Sequence, residues 1–106
     1  MLRRFERIMK VYSPATDETQ GEGMGYYPVS LTLRTSEEIA SEDVLYSNVR
    51  YIIYGKKHNA PDGGYRRGMI LEDMDGARYH VLVPILVGRC WIMKAERVME
   101  NGDSEK

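Results

Sequence analysis

Acidic residues and a glycine stand close together in the stretch MILEDMDGARYHVLV, which begins at Met69. These four residues could begin a calcium loop, because carboxylate oxygens bind Ca²⁺ and glycine permits a sharp turn: Glu72, Asp73, Asp75 and Gly76. Such a loop also needs further acidic ligands and flanking helices, whereas the residues after Gly76 read ARYHVLVPI and contain no acid. An Asp-Gly pair also accepts the positive φ angles of a two-residue hairpin turn. We therefore predict a hairpin that pairs residues 69–74 with residues 77–82, and no metal site.

The residues that could serve in catalysis are isolated from one another. His58 lies among lysines in a predicted loop, and His80 lies in a predicted strand, where a histidine is usually a surface or cross-strand residue. Cys90 is the only cysteine, which excludes an intramolecular disulfide and a structural zinc site built on cysteine. Its position in an apolar run favours a buried small side chain over a nucleophile. Since no catalytic triad, HExxH motif or phosphate-binding glycine loop is recognisable, we predict a protein that is not an enzyme and has no cofactor.

Basic residues are concentrated in the predicted loop of residues 55–68, where only Asp62 opposes them. The loop carries Lys56, Lys57, His58, Arg66 and Arg67, with Tyr65 among them. These charges could simply be solvated, or they could neutralise DNA phosphates without reading base sequence. One copy would bind DNA weakly, whereas a ring of copies would multiply the positive charge around a central channel. The five basic residues are therefore the candidates for contact with DNA or a channel.

The composition is that of one globular domain with almost balanced charge. The 106 residues are 42% apolar and include 15 basic and 16 acidic residues, so no global field would hold the chain on DNA or on a membrane. No stretch resembles a signal peptide or could span a bilayer, and we expect a reducing, aqueous compartment. Eight tyrosines accompany one Phe and one Trp, and tyrosine suits protein interfaces. The candidates for subunit contacts are Tyr26, Tyr27, Tyr54 and Tyr65.

The elements that would position these residues are mostly strands. Alternating or β-rich residues predict strands at residues 5–12, 26–35, 48–55, 69–74, 77–85 and 89–100. The apolar side chains expected to face inward are Phe5, Met9, Val11, Val29, Leu31, Leu33, Cys90, Ile92 and Val98. Thr35 and Glu38 fit a capping box, which predicts one short helix within residues 35–45. Stretches rich in glycine and polar residues predict two long loops, at residues 13–25 and 55–68.

These elements predict a mainly β fold. Five or six strands with one short helix and two long loops would make a small antiparallel β-barrel or a sandwich. We assign residues 1–100 to this single domain and residues 101–106 to a disordered polar tail.

The order of motifs in the C-terminal two thirds carries a resemblance. Residues 49–57 read VRYIIYGKK, and residues 66–98 read RRGMILEDMDGARYHVLVPILVGRCWIMKAERV. This order resembles the small head–tail connector proteins of tailed bacteriophages, also called head–tail adaptor, head-closure or stopper proteins. The residues that match the family's motifs are Arg50, Tyr51, Gly68, Met69, Ile70, Asp75, Gly76, Tyr79, Val81, Gly88 and Arg89. The chain departs from the family at Leu71, where the pattern has an arginine.

The resemblance implies a non-enzymatic virion structural protein at the head–tail interface, made in the host cytoplasm. Family members look like small β-barrels that assemble as a ring, commonly twelvefold, below the portal. The implied partners are further copies of the chain, a portal or adaptor protein, tail proteins and the packaged DNA that the ring retains or passes, with no membrane. Edge strands could add to a neighbour's sheet and close such a ring. The alternative is a monomeric β-barrel module that contacts nucleic acid or a peptide through the basic loop of residues 55–68.

Overall fold

The computed structural model describes residues 5–15, 21–33 and 50–98, and all regular structure within these ranges is β. The six strands are β1 (Arg7–Tyr12), β2 (Gly23–Leu33), β3 (Tyr51–Lys56), β4 (Ile70–Glu72), β5 (Arg78–Val87) and β6 (Cys90–Val98). The predicted helix within residues 35–45 and the predicted tail at residues 101–106 lie outside the described residues. None of the described residues forms a helix long and apolar enough to cross a membrane.

The strands close into an antiparallel barrel in the order β1-β2-β3-β6-β5-β4. Each strand pairs with both of its neighbours, and β4 closes the ring by pairing with β1. The expectation of a small antiparallel β fold is thus confirmed, and of its two forms the barrel is the one adopted. Glycines made residues 23–25 read as part of a loop, but backbone pairing with β1 places them at the start of β2.

Apolar side chains fill the inside of the barrel. They alternate along the strands with outward residues, as the pleat requires. The fully buried ones on the strands are Met9, Val11, Val29, Ile53, Leu71, Val81, Met93 and Ala95. A barrel of this size encloses little more than its own side chains. Its interior is therefore a core, and any binding site must lie on the outer surface or at the barrel ends.

The hairpin around the Asp-Gly pair is confirmed, since β4 and β5 are antiparallel partners. The turn differs from the predicted one, because three residues and not two connect the paired ends. Asp73 donates its backbone N–H to the Ala77 carbonyl oxygen over 2.7 Å, and Gly76 donates to the Asp73 carbonyl oxygen over 3.0 Å. Gly76 has φ 93°, which suits the left-handed third position of such a turn.

The acids of this turn bind neighbouring protein groups. The Asp73 carboxylate accepts the Met74 N–H over 2.8 Å and forms an ion pair with Arg7. The Asp75 carboxylate accepts the Ala77 N–H over 3.0 Å. Among the described residues, no group of three or more His, Cys, Asp or Glu side chains is placed to hold a metal ion.

Four predictions of inward-facing side chains were wrong in part. Leu33, at the end of β2, is 63% exposed because the strand there leaves the core. Cys90, Ile92 and Val98 are only half buried, whereas Met93 and Ala95 are buried. β6 is apolar on both of its faces, and its register opposite β3 decides which one turns inward: Met93 lies across from buried Ile53.

Candidate phosphate-binding surface

The end of β3 and the turn between β5 and β6 lie side by side at one end of the barrel. Lys56, the last residue of β3, pairs with Cys90, the first residue of β6. Beyond this pair, Lys57 donates its backbone N–H to the Arg89 carbonyl oxygen over 3.0 Å. The β-ladder therefore places the loop lysine next to an arginine that is 32 positions away in the sequence, as the residue numbers show.

Three side chains of this region line one depression. Lys57, His58 and Arg89 surround a depression of about 450 Å³, and each of the three is exposed. Its lining contains no acid among the described residues. An open depression lined by ammonium, imidazole and guanidinium groups attracts anions, and phosphate oxygens are the acceptors that Lys and Arg commonly bind. We call these three residues the basic surface.

The loop that carries the lysines is fixed to the barrel by Tyr65. This side chain is only 2% exposed, and its ring meets Trp91 edge to face with centroids 5.9 Å apart. It also lies on Gly55, where a Cβ atom would be 2.9 Å from the Tyr65 ring. Burial raises the pKa of the Tyr65 phenol, and the nearby Tyr27 raises it further. Tyr65 is thus a core residue, which contradicts its selection as a subunit-contact candidate.

Local sequence explains how the chain reaches this position. Gly64 donates its N–H to the Pro61 carbonyl oxygen over 2.8 Å, which closes a turn within the loop. Gly64 has φ 81°, and a Cβ atom there would lie 2.4 Å from Trp91 Cζ2. Glycine is therefore needed both for the backbone conformation and for the close approach to the indole. The turn directs the next residue, Tyr65, into the barrel.

Arg66 and Arg67 lie on a different part of the loop. Both are exposed, and the residues after them join the β4–β5 side of the barrel: Gly68 donates its N–H to the Val81 carbonyl oxygen over 2.9 Å. Gly68 also packs beside Pro14, to which a Cβ atom would approach within 3.1 Å. The structure therefore does not gather the five predicted basic residues into one cluster.

The contacts of Lys56 and the position of Arg89 were also not predicted from the sequence. The Lys56 ammonium lies 5.2 Å from the centroid of the Phe5 ring, which is a cation–π contact. Arg89 was not among the candidates, although the Gly88-Arg89 pair belongs to the motifs of the resemblance. Its place beside Lys57 follows from the β3–β6 register, and no local sequence pattern contains that information.

The remaining tyrosine candidates lie at three different depths. Tyr26 is exposed and lies beside Lys10, whose ammonium is 5.9 Å from its ring centroid. Tyr27 packs against the core, and its hydroxyl donates to the Met24 carbonyl oxygen over 2.9 Å. Tyr54 is half buried on the outer face of β3, across from Ile92.

His80 and Cys90, the other residues considered for catalysis, lie in β5 and β6 and make local contacts. His80 lies opposite Glu96 on the neighbouring strand, with its Nδ1 atom 3.5 Å from the carboxylate, as a cross-strand histidine would. The Cys90 thiol is half buried and points at the carbonyl oxygen of Trp91, 3.5 Å away.

Comparison with the models of known protein families gives no match, and comparison with curated proteins finds none that is similar to this chain.

Proposed function

We propose that this chain is a non-enzymatic assembly protein of the phage head–tail connector type. In this role it forms a ring that joins a portal-bearing head to a tail, and its basic surface contacts the phosphates of the DNA that the ring retains or passes. The observation that carries the proposal is the depression lined by Lys57, His58 and Arg89 at one end of a closed barrel. The order of motifs in residues 49–98 supports the same role, since it resembles that family.

The chemistry of the basic surface suits DNA that slides through a ring. Lys and Arg side chains neutralise phosphates without reading bases, so the contact is the same for every sequence that passes. The chain as a whole has a net charge of −1, so attraction to DNA must be local. A ring places one basic surface per copy around the DNA, and weak single contacts then add up.

The second candidate function is a monomeric module that binds nucleic acid through the same surface. The observation that favours it is that the three side chains are exposed in the isolated chain and need no neighbour to form their depression. Exposed apolar residues at the end of β5 favour the assembly protein, because monomers rarely expose several large apolar side chains in a row.

The experiment compares one double variant and one single variant with the wild-type chain. Lys57→Ala/Arg89→Ala removes two cations of the basic surface, and Arg97→Ala removes an exposed arginine near the opposite end of β6. Exposed charges contribute little to stability, so all variants should fold alike. With duplex DNA, the loss of two phosphate contacts should reduce the magnitude of the slope of log affinity against log salt concentration by about 1.8.

Function is measured as DNA retention by heads completed with each variant. We expect the double variant to bind to portal-bearing heads but to lose DNA, while Arg97→Ala retains it. Unchanged retention and salt slope in the double variant would remove the basic surface from the mechanism. A wild-type chain that binds DNA but is never recruited to such heads would contradict the connector and support the module.

A further inference from the structure

Exposed apolar side chains fall into two groups on the described part of the chain. The first group is Ile85, Leu86 and Val87, which are between 40% and 55% exposed. The second group is Ile8, Tyr26 and Met74, which are between 39% and 84% exposed. Leu33 is the only other large apolar side chain that is exposed among the described residues. Clustering of this kind is typical of surfaces that contact another protein.

The first group, which we call the hairpin surface, lies where β5 extends past β4. Strand β4 pairs with residues 78–80 of β5 only, so in the described structure residues 83–87 pair with β6 alone. Ile85 lies across from Ile92, and Ile92 lies across from Tyr54, so an apolar row continues over three strands on the outer face. Val87 shares this face, whereas Leu86 lies across from Trp91 and points to the other face of the hairpin. Pro84 has no N–H to donate, which disfavours addition of a further strand and favours packing of side chains.

The second group lines a groove on the outside of β1 and β2. Tyr26 lies across from Lys10, two pairs along from Ile8 and Pro28 and therefore on the same face, and Met74 reaches the same place from the β4–β5 turn. The groove has a volume of about 320 Å³. Its lining is Ile8, Lys10, Tyr26, Glu72, Asp73, Met74 and Gly76. It is therefore a concave surface with an apolar wall, whereas the hairpin surface projects.

The two surfaces lie apart on the barrel: the groove lies over β1, β2 and the turn before β5, whereas the hairpin surface lies at the far end of β5. In the closed order β1-β2-β3-β6-β5-β4, strand β2 is three steps from β5 in either direction, and β1 is likewise three steps from β6. A projecting surface and a separate concave one can join identical subunits head to tail. Such contacts are heterologous, and they produce a ring if the rotation closes.

We propose that the hairpin surface of one copy docks in the groove of the next copy. The inference rests on the proposed function and names the subunit contact of its ring. Charges at the rim of each surface favour the same pairing by steering association: exposed Arg89 follows the hairpin surface, and exposed Asp75 adjoins Met74 at the groove. Of the tyrosine candidates for subunit contacts, Tyr26 then belongs to the groove, and Tyr54 adjoins the hairpin surface through Ile92.

The exposed area indicates why a ring, and not a dimer, is the stable form. With roughly 150–250 Å² for a fully exposed large side chain, the five residues other than Leu86 together expose about 500 Å². A stable two-body interface buries at least about 1,000 Å², so one such contact alone is weak. In a closed ring every copy makes two contacts, and the second forms at high effective concentration.

The test uses two surface variants and a matched control. Ile85→Ser/Val87→Ser disrupts the hairpin surface, and Tyr26→Ser/Met74→Ser disrupts the groove. Leu33→Ser changes the exposed apolar residue outside both surfaces. All changes are at exposed positions, so the fold should persist, which circular dichroism checks. By sedimentation velocity over a concentration series we expect wild type and Leu33→Ser to assemble. Each double variant should assemble at least about tenfold more weakly.

Mixing the two double variants identifies the geometry. The hairpin variant retains an intact groove, and the groove variant retains an intact hairpin surface. An equimolar mixture should therefore form 1:1 dimers at high protein concentration, since only one contact holds them, and these dimers should grow no further. If the hairpin surfaces instead met each other, the groove variant would self-associate like wild type and mixing would add nothing. That outcome would overturn the proposal.

Failure of the inference is distinguishable from failure of the proposed function. If both double variants assemble like wild type, the contact lies elsewhere and only the inference falls. If wild type remains monomeric at all concentrations and Val87→Cys forms no disulfide with Met74→Cys, self-docking is also refuted. The proposed function falls separately, through DNA retention that does not depend on Lys57 and Arg89.

Discussion

Tyr65→Phe removes one buried oxygen atom and leaves the ring in place. The Tyr65 side chain is nearly inaccessible, and its hydroxyl has no hydrogen-bond partner among the described residues. The ring contacts Trp91 edge to face and covers Gly55. Phe keeps all of these contacts. The substitution therefore isolates the free energy of burying the hydroxyl from that of burying the ring.

The two contributions have opposite signs. Burying a hydroxyl without a protein partner costs about 1–3 kcal/mol, so Tyr65→Phe should raise the free energy of unfolding by roughly 1 kcal/mol. For a domain of this size that corresponds to a rise in Tm of roughly 4–8 °C. Tyr65→Ala also removes the ring and leaves a cavity against Trp91, which should lower the free energy of unfolding by about 3–5 kcal/mol.

Urea unfolding of the three chains measures these differences, with Tyr27→Phe as the matched control. The Tyr27 hydroxyl donates to the Met24 carbonyl oxygen, so its removal should destabilise the fold by about 0.5–1.5 kcal/mol. Equal m-values are required for the comparison, since a changed m-value signals a changed unfolded or folded state. If Tyr65→Phe destabilises the chain as much as Tyr27→Phe does, the Tyr65 hydroxyl has a partner and the reasoning is refuted.

Two further predictions concern the same end of the barrel. Burial and, secondarily, Tyr27 raise the Tyr65 pKa above the ordinary value of 10.0, so the folded state keeps a proton that the unfolded state releases in alkali. The stabilisation that this raised pKa provides is complete below pH 10 and is lost progressively above it. In urea titrations between pH 10 and pH 12, the free energy of unfolding of wild type should therefore fall more steeply than that of Tyr65→Phe, by about 1.4 kcal/mol per pH unit. Gly63 and Gly64 share φ 81°, but a Cβ atom meets nothing within 4 Å at Gly63 and lies 2.4 Å from the indole at Gly64. In chemical denaturation, Gly63→Ala should therefore lower the free energy of unfolding by about 1 kcal/mol, and Gly64→Ala should lower it by at least about 2 kcal/mol more. Equal losses for the two variants would show that Trp91 can move away from the new methyl group.

The barrel was predictable because its strands obey local rules. Apolar and polar residues alternate in residues 26–35, where Val29 and Leu31 turn inward as predicted. Asp75-Gly76 between two β-rich stretches indicated the β4–β5 hairpin, and the pairing of Leu71 with Tyr79 confirms it. Pattern and turn chemistry act over a few residues, so one sequence is enough to recognise them.

The features that sequence did not predict depend on register and on packing across the barrel. β6 is apolar on both faces, and only its alignment with β3 shows that Met93 faces inward and Ile92 outward. The three-residue turn at Asp75-Gly76 is decided by hydrogen bonds between its flanking residues. Tyr65 lies in a polar, glycine-rich segment that reads as a solvated loop, and its burial depends on space left by Gly55 and Gly64.

The burial of Tyr65 restricts the conformations that the basic loop of residues 55–68 can adopt. A solvated loop that carries lysines loses conformational entropy whenever it contacts an anion. Here Tyr65 anchors the loop to the core on one side, and the Lys57 N–H bond to Arg89 anchors it on the other. The backbones of Lys57 and Arg89 are therefore held at a fixed separation without any ligand. The turn that bears Arg89 also ends the hairpin surface, so docking of a neighbour there would bring the subunit contact next to the basic surface.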